Sequence, residues 1–152
     1  RELDGQTLLL LASLFVIIAG ITRAGVIAAI SRLFVNIAGD DLFAIYSIIV
    51  WASVLFSAFI DNIPYVATML PVVSGIAALM GVEPYLLYFG LLTGAPLGGN
   101  LTPIGASANI TGLGILRKEG YTVSNRDFMK IGVPFSLIAV TTGYLLIWIL
   151  WR

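Results

Sequence analysis

The sequence predicts an all-α membrane protein, and three observations point there. Of the 152 residues, 59% are hydrophobic and 11% charged, with a mean hydropathy of +1.03. A soluble domain carries ~25% charged residues, so this chain is too poor in charge to coat a water-facing surface. Its charges are also gathered, leaving residues 7–22, 42–60, 62–82, 84–116 and 131–151 uncharged. Finally, Trp148 and Trp151 close the last of these stretches, where tryptophan anchors a helix at the membrane interface.

Each element follows from local pattern. Residues 7–22 would form a transmembrane helix of about 24 Å, short for a hydrocarbon core of ~30 Å unless Arg23 snorkels to the interface. In residues 24–38, Val26, Ile27, Ile30, Leu33, Phe34 and Ile37 recur at helical spacing, with Arg32 and Asn36 off the stripe. That pattern suits an interfacial helix lying along the membrane surface, with a continuation of the first helix as the alternative.

Residues 42–60 and 62–82 are separated only by Asp61. Asp61 and Asn62 can cap a new helix, and Pro64 fits its first turn, where a missing N–H costs little. A two-residue turn at the membrane surface between full spans is equally compatible with these lengths.

Residues 84–116 cannot be one straight helix, since thirty-three residues would reach about 50 Å. Gly94, Pro96, Gly98, Gly99, Pro103 and Gly105 fall in one short window. A glycine costs ~1 kcal/mol and a proline ~3 kcal/mol in a helix interior. The expected structure is helix, unwound segment, helix, with Gly98 and Gly99 at positive φ. Irregular backbone survives at membrane depth only where protein or a wet cavity lines it. After it, Ser124 to Asp127 offer N-cap residues for a short helix, which Pro134 kinks or restarts into a final helix over residues 128–151.

Two places put polar groups inside apolar sequence. An aspartate at the bilayer centre costs roughly 2.5–3.5 kcal/mol on insertion scales, which makes Asp61 a functional candidate. Asn100 and Thr102, with Ser107, Asn109 and Thr111, form the second place. Carbonyls freed around Gly98 and Gly99 would add acceptors, and a helix restarting near Ser107 would add N–H donors. Broken helices of this kind build the midplane sites of secondary transporters. Glycines at spacing four could instead serve close helix packing.

Other chemistries are excluded. The chain has no His and no Cys, which removes the usual nucleophile–base pairs and the thiolate and imidazole metal ligands. Residues 105–109 lack the form of a nucleophile elbow, and Gly98-Gly99-Asn100 lacks the Lys and hydroxyl residue of a P-loop. Net charge is zero with no basic run, so nucleic acid is not an expected partner. No enzyme activity and no cofactor beyond a coupling ion are expected.

Residues 57–72, SAFIDNIPYVATMLPV, and 98–115, GGNLTPIGASANITGLGI, resemble the ion transporter superfamily, in particular its arsenite permease, NhaD and P-protein branch, with a citrate transporter-like domain. The tail GYTVSNRDFMKIGVPFSL is similar to the family's last connection and span. The resemblance covers nearly the whole chain and matches the second of two inverted repeats. It implies a scaffold helix, an interfacial helix, a re-entrant helical hairpin over 42–80 with its tip at Asp61 to Pro64, a discontinuous helix broken across 95–106, and a final transmembrane helix. The chain departs from the divalent-anion symporter branch, whose tip reads Ser-Asn-Thr where Asp61-Asn62-Ile63 stands here.

The expected function is secondary active transport of a small ion or oxyanion, arsenite-like or carboxylate, coupled to Na⁺ or H⁺. Na⁺/H⁺ antiport is the first alternative; a passive ion channel and a non-transporting scaffold are others. The expected ligand set is Asp61, Asn62, Gly98, Gly99, Asn100, Thr102, Ser107 and Asn109, with Na⁺ at Asp61, Asn62 and Asn100. Pro64, Pro96 and Pro103 mark the helix breaks. Expected partners are the solute, lipid, an upstream N-terminal repeat of a longer protein, and a second copy in a homodimer. The expected location is a cell membrane, as the multi-pass protein of a bacterial or archaeal inner membrane. If residues 117–130 face the cytoplasm, five Lys/Arg including Arg1 lie inside against three outside, a positive-inside bias.

Overall fold

The computed structural model describes residues 5–39 and 41–152; Arg1, counted in the charge balance, lies outside them. The protein is an all-α membrane protein, and no strand occurs among the described residues. Its helices are α1 (Gly5–Arg23), α2 (Val26–Ala38), α3 (Leu42–Ser57), α4 (Asn62–Met80), α5 (Tyr85–Gly98), α6 (Ser107–Lys118) and α7 (Asn125–Trp151). A short 3-10 turn over Gly99–Leu101 follows α5. By length and composition, α4 and α7 can each cross a membrane, whereas α3 is a shorter apolar helix.

The surface is that of a protein in lipid. On α7 the buried residues are Gly132, Ser136 and Val140, while Ile131, Ile138 and Ile149 are exposed. Small and polar residues turn inward and large apolar ones outward, as helices packing against one another in hydrocarbon require.

α1 and α2 meet at a 67° bend, and Gly25 between them sits at φ +76°. The apolar stripe of α2 divides between two faces. Ile27 is buried, and Ile30 and Phe34 pack on the core, whereas Val26, Leu33 and Ile37 are exposed. The inward face also carries Ser31, whose hydroxyl donates to Ile27 O at 3.0 Å and to Val72 O of α4 at 2.9 Å.

α3 and α5 are the centre of the fold. Glycines at every fourth position of α5 set their separation. A Cβ at Gly90 would lie 2.7 Å from the Tyr46 ring, one at Gly94 would strike the Val50 carbonyl oxygen, and one at Gly98 would lie 2.5 Å from Val54 Cα. Residue numbers rise together on both sides, so α3 and α5 run parallel and end at the same level. The packing role that spacing four allowed is the one these glycines have.

α7 runs antiparallel to α5. Its Gly132 faces the Asn100 carbonyl, and its Gly143 faces Thr93. At the far end Tyr46 donates its hydroxyl to Tyr144 O at 2.8 Å and stacks on the Tyr144 ring at 5.1 Å.

Three expectations need correction. Pro96 does not break a helix: it lies inside α5. Proline removes one N–H, but α5 packs against α3 and α7 on either side, and that packing holds the turn. Likewise α7 is one helix through Pro134, with no separate short helix before it. Gly98 (φ −63°) and Gly99 (φ −57°) are right-handed, so positive φ is not why glycine stands there.

Candidate functional site

Four helix ends meet at one level. α3 stops at Ser57, a turn through residues 58–61 reverses the chain, and α4 begins at Asn62. α5 stops at Gly98, the chain loses helical form over residues 102–106, and α6 begins at Ser107. Two carbonyl-rich C-termini and two N–H-rich N-termini are thus brought together.

Asp61 ties the two halves of this junction. As the N-cap of α4, its Oδ1 accepts from Ile63 N at 3.1 Å. Its Oδ2 accepts from Ser107 N at 3.0 Å and from the Ser107 hydroxyl. One carboxylate therefore serves the N-termini of α4 and α6 together, where negative charge is favoured. Pro64, in the first turn of α4, starts that helix rather than breaking one.

The break is fastened at further points. Thr102 donates its hydroxyl to Ala58 O at the end of α3. Asn109 Nδ2 reaches back from α6 to Gly99 O at 3.0 Å and Thr102 O at 3.1 Å. Both donors of that amide are spent on carbonyls that the break leaves without helical partners.

At Gly105 backbone meets backbone. A Cβ there would lie 2.5 Å from Gly99 O and 2.8 Å from Ser57 O and Ala58 O. Three carbonyl oxygens from two helix ends thus converge around one glycine. Beside them the Ser57 hydroxyl is fully buried and has no hydrogen-bond partner. These carbonyl and hydroxyl oxygens are hard donors of the type that Na⁺ or another hard cation takes.

The remaining residues of the expected set face other ways. Asn62 lines an apolar groove of about 390 Å³ with Phe15, Ile63 and Val66. Asn100 lines a larger groove of about 910 Å³ between α6 and α7, with Asn109 and Phe135. Asp61, Thr102, Ser107 and Asn109 are gathered at the junction, while Asn62 and Asn100 open onto separate grooves. The sequence reading missed Ser57, Ala58 and Gly105 as parts of this junction. Gly105 carried a signal as a member of the glycine–proline window, and Ser57 and Ala58 only as the first residues of the block 57–72.

The two hydrogen bonds of the Asn109 amide give a test. Asn109→Leu removes the side-chain donor from Gly99 O and leaves Thr102 O only its longer bond from Gly105 N at 3.4 Å, and is expected to destabilise the folded protein by about 1–2 kcal/mol. Asn109→Asp sets a carboxylate against the same carbonyls and is expected to cost more. Chemical denaturation in detergent measures both, and an Asn109→Leu protein as stable as the parent would show the break is held elsewhere.

A family model described as a citrate transporter matches residues 1–152. An uncharacterized transporter of Mycobacterium tuberculosis is 36% identical over 150 residues, covering 97% of this chain and 35% of the relative. The 46 kDa membrane protein of Mycobacterium leprae is 34% identical over 146 residues, covering 95% and 34%. The P protein of Mus musculus is 39% identical over 156 residues, covering 97% and 19%. The chain thus spans about a third of the length of these mycobacterial relatives. No solved structure matches the chain significantly.

Proposed function

We propose that this chain, which belongs to the citrate transporter family, supplies one half of the translocation site of a secondary active transporter. The solute is a small ion or oxyanion, arsenite-like or carboxylate, and the coupling ion is Na⁺ or H⁺. The observation that carries this reading is the Asp61 carboxylate shared between the N-termini of α4 and α6.

The arrangement suggests how coupling arises. Asp61 occupies the N–H groups that an anionic solute would need. Solute and carboxylate compete for one set of donors. A proton on Asp61, or a Na⁺ held by it and the nearby carbonyls of Ser57, Ala58 and Gly99, neutralises the carboxylate and frees the Ser107 N–H. Solute then binds best when the cation is present, and by reciprocity the cation binds best with solute. Thr102 and Ser107 at the junction supply neutral contacts. The partner half of the site comes from the upstream repeat or from a second copy, so residues 1–152 alone are expected to give no gradient-driven flux.

The deciding experiment is flux into proteoliposomes by the full-length protein, with imposed Na⁺ or pH gradients and a panel of carboxylates and oxyanions. Uptake against the solute gradient supports the reading. Cation exchange with no solute moved would favour Na⁺/H⁺ antiport at the same aspartate. Flux that only equilibrates would make the protein a channel and overturn the proposal.

A further inference from the structure

Away from the junction, a cleft of about 430 Å³ lies between the break, α6 and the connection to α7. Its volume falls in the ~300–1,000 Å³ range of small-ligand sites. Pro103 and Ile104 of the break line it together with Arg117, Tyr121, Thr122 and Asn125. The segment is basic: Arg117, Lys118, Arg126 and Lys130 stand against Glu119 and Asp127. Asp127 pairs with Lys130 at 3.4 Å and bonds Ser124 at 2.6 Å, so it is engaged away from Arg117. Among the described residues Arg117 has no carboxylate within ion-pair distance.

Snorkelling alone accounts for a cation at the end of α6, but not for the company it keeps. Arg117 is the one cation among the cleft's lining residues, beside two hydroxyls and an amide. These four side chains are exposed and none has a hydrogen-bond partner among the described residues, so their polar groups are open to an incoming ligand, and neither carboxylate of the segment lines the cleft. A guanidinium presents paired donors that match a planar carboxylate or a phosphate, and the neighbouring groups can complete an anion's remaining acceptors.

We propose that this cleft is an anion-binding site of the carboxylate or phosphate class, centred on Arg117 and separate from the junction at Asp61. A solute anion and the headgroup of an acidic lipid share the required chemistry. The site stands whether or not the junction transports.

Reactivity of the arginines themselves reads it. The full-length protein in nanodiscs of neutral phosphatidylcholine is treated with phenylglyoxal, and modification of Arg117 and Arg126 is followed by mass spectrometry. Arg126 is the internal control, being exposed in the same segment but absent from the cleft lining. Citrate or inorganic phosphate, at ionic strength matched with chloride, is expected to slow Arg117 roughly fivefold or more relative to Arg126. Protection that appears without added anion, once phosphatidylglycerol replaces part of the neutral lipid, supports the site with a headgroup as ligand. Equal slowing of both arginines would mean screening, and no slowing in any arm would mean no site; either result overturns the proposal.

Discussion

Asp61→Asn is expected to abolish gradient-driven transport in a protein that still inserts and folds. Asparagine is as good an N-cap as aspartate, so the start of α4 survives. What is lost is the second connection. The carboxylate accepts from Ile63 N, Ser107 N and the Ser107 hydroxyl. A carboxamide keeps one oxygen and turns an NH₂ toward donors. A charge-assisted hydrogen bond contributes about 1.5–3 kcal/mol, and negative charge at a helix N-terminus adds about 0.3–1 kcal/mol. The link between α4 and α6 should therefore weaken by one to two orders of magnitude, as roughly 2 kcal/mol implies. Asparagine also cannot take up a proton, which removes any H⁺ coupling through this residue. Asp61→Glu keeps the charge and should retain partial flux. The measurement is Na⁺- and pH-driven uptake beside a thermal melt, and an asparagine variant with parental coupling would remove Asp61 from the mechanism.

Gly94→Ala and Gly98→Ala are expected to be among the most destabilising methyl additions in the chain, with Gly105→Ala and Gly132→Ala. At Gly94 and Gly98 the obstacle is backbone of α3, which no rotamer change can relieve. Forcing a methyl into such packing costs about 1–3 kcal/mol. Gly112 and Gly114 on α6 are the controls, because a Cβ at either meets nothing within 4 Å. There alanine should be neutral or stabilising by up to ~1 kcal/mol through helix propensity. Thermal melts of the four single variants give the comparison. Equal stability of Gly94→Ala and Gly112→Ala would show that α3 and α5 are not held by close approach.

Side-chain chemistry was readable from the chain; backbone chemistry was not. Asp61, Thr102, Ser107 and Asn109 announced themselves as polar residues in apolar sequence, and the structure brings them together. Ala58 contributes through its carbonyl oxygen, which every residue has, so no residue type marks it; Ser57 adds a hydroxyl to its carbonyl, but a lone serine in an apolar helix is an ordinary packing residue. The same limit explains Pro96 and Pro134. Propensity sets a proline's cost in an isolated helix, whereas the neighbours of α5 and α7 decide whether the helix continues. Gly98 and Gly99 look like loop-formers in the sequence because a glycine–proline cluster carries that signal. Their neighbours at Gly90 and Gly94 reveal the other use of glycine, and only the parallel run of Tyr46, Val50 and Val54 shows which partner required it.

That run also governs how the chain can assemble. α3 is synthesised first, and the helix that fits it arrives only after α4 has been made. Sliding α5 by one turn either way would bring Leu86 or Gly94 onto the site that Gly90 holds against Tyr46. In the first case a leucine meets the ring; in the second, the non-helical Thr102 must stand where Gly98 met Val54. Spacing of four would otherwise permit several near-equivalent alignments. The tyrosine at one end and the break at the other leave a single register, so a late-arriving helix finds one docking position rather than a ladder of misaligned traps.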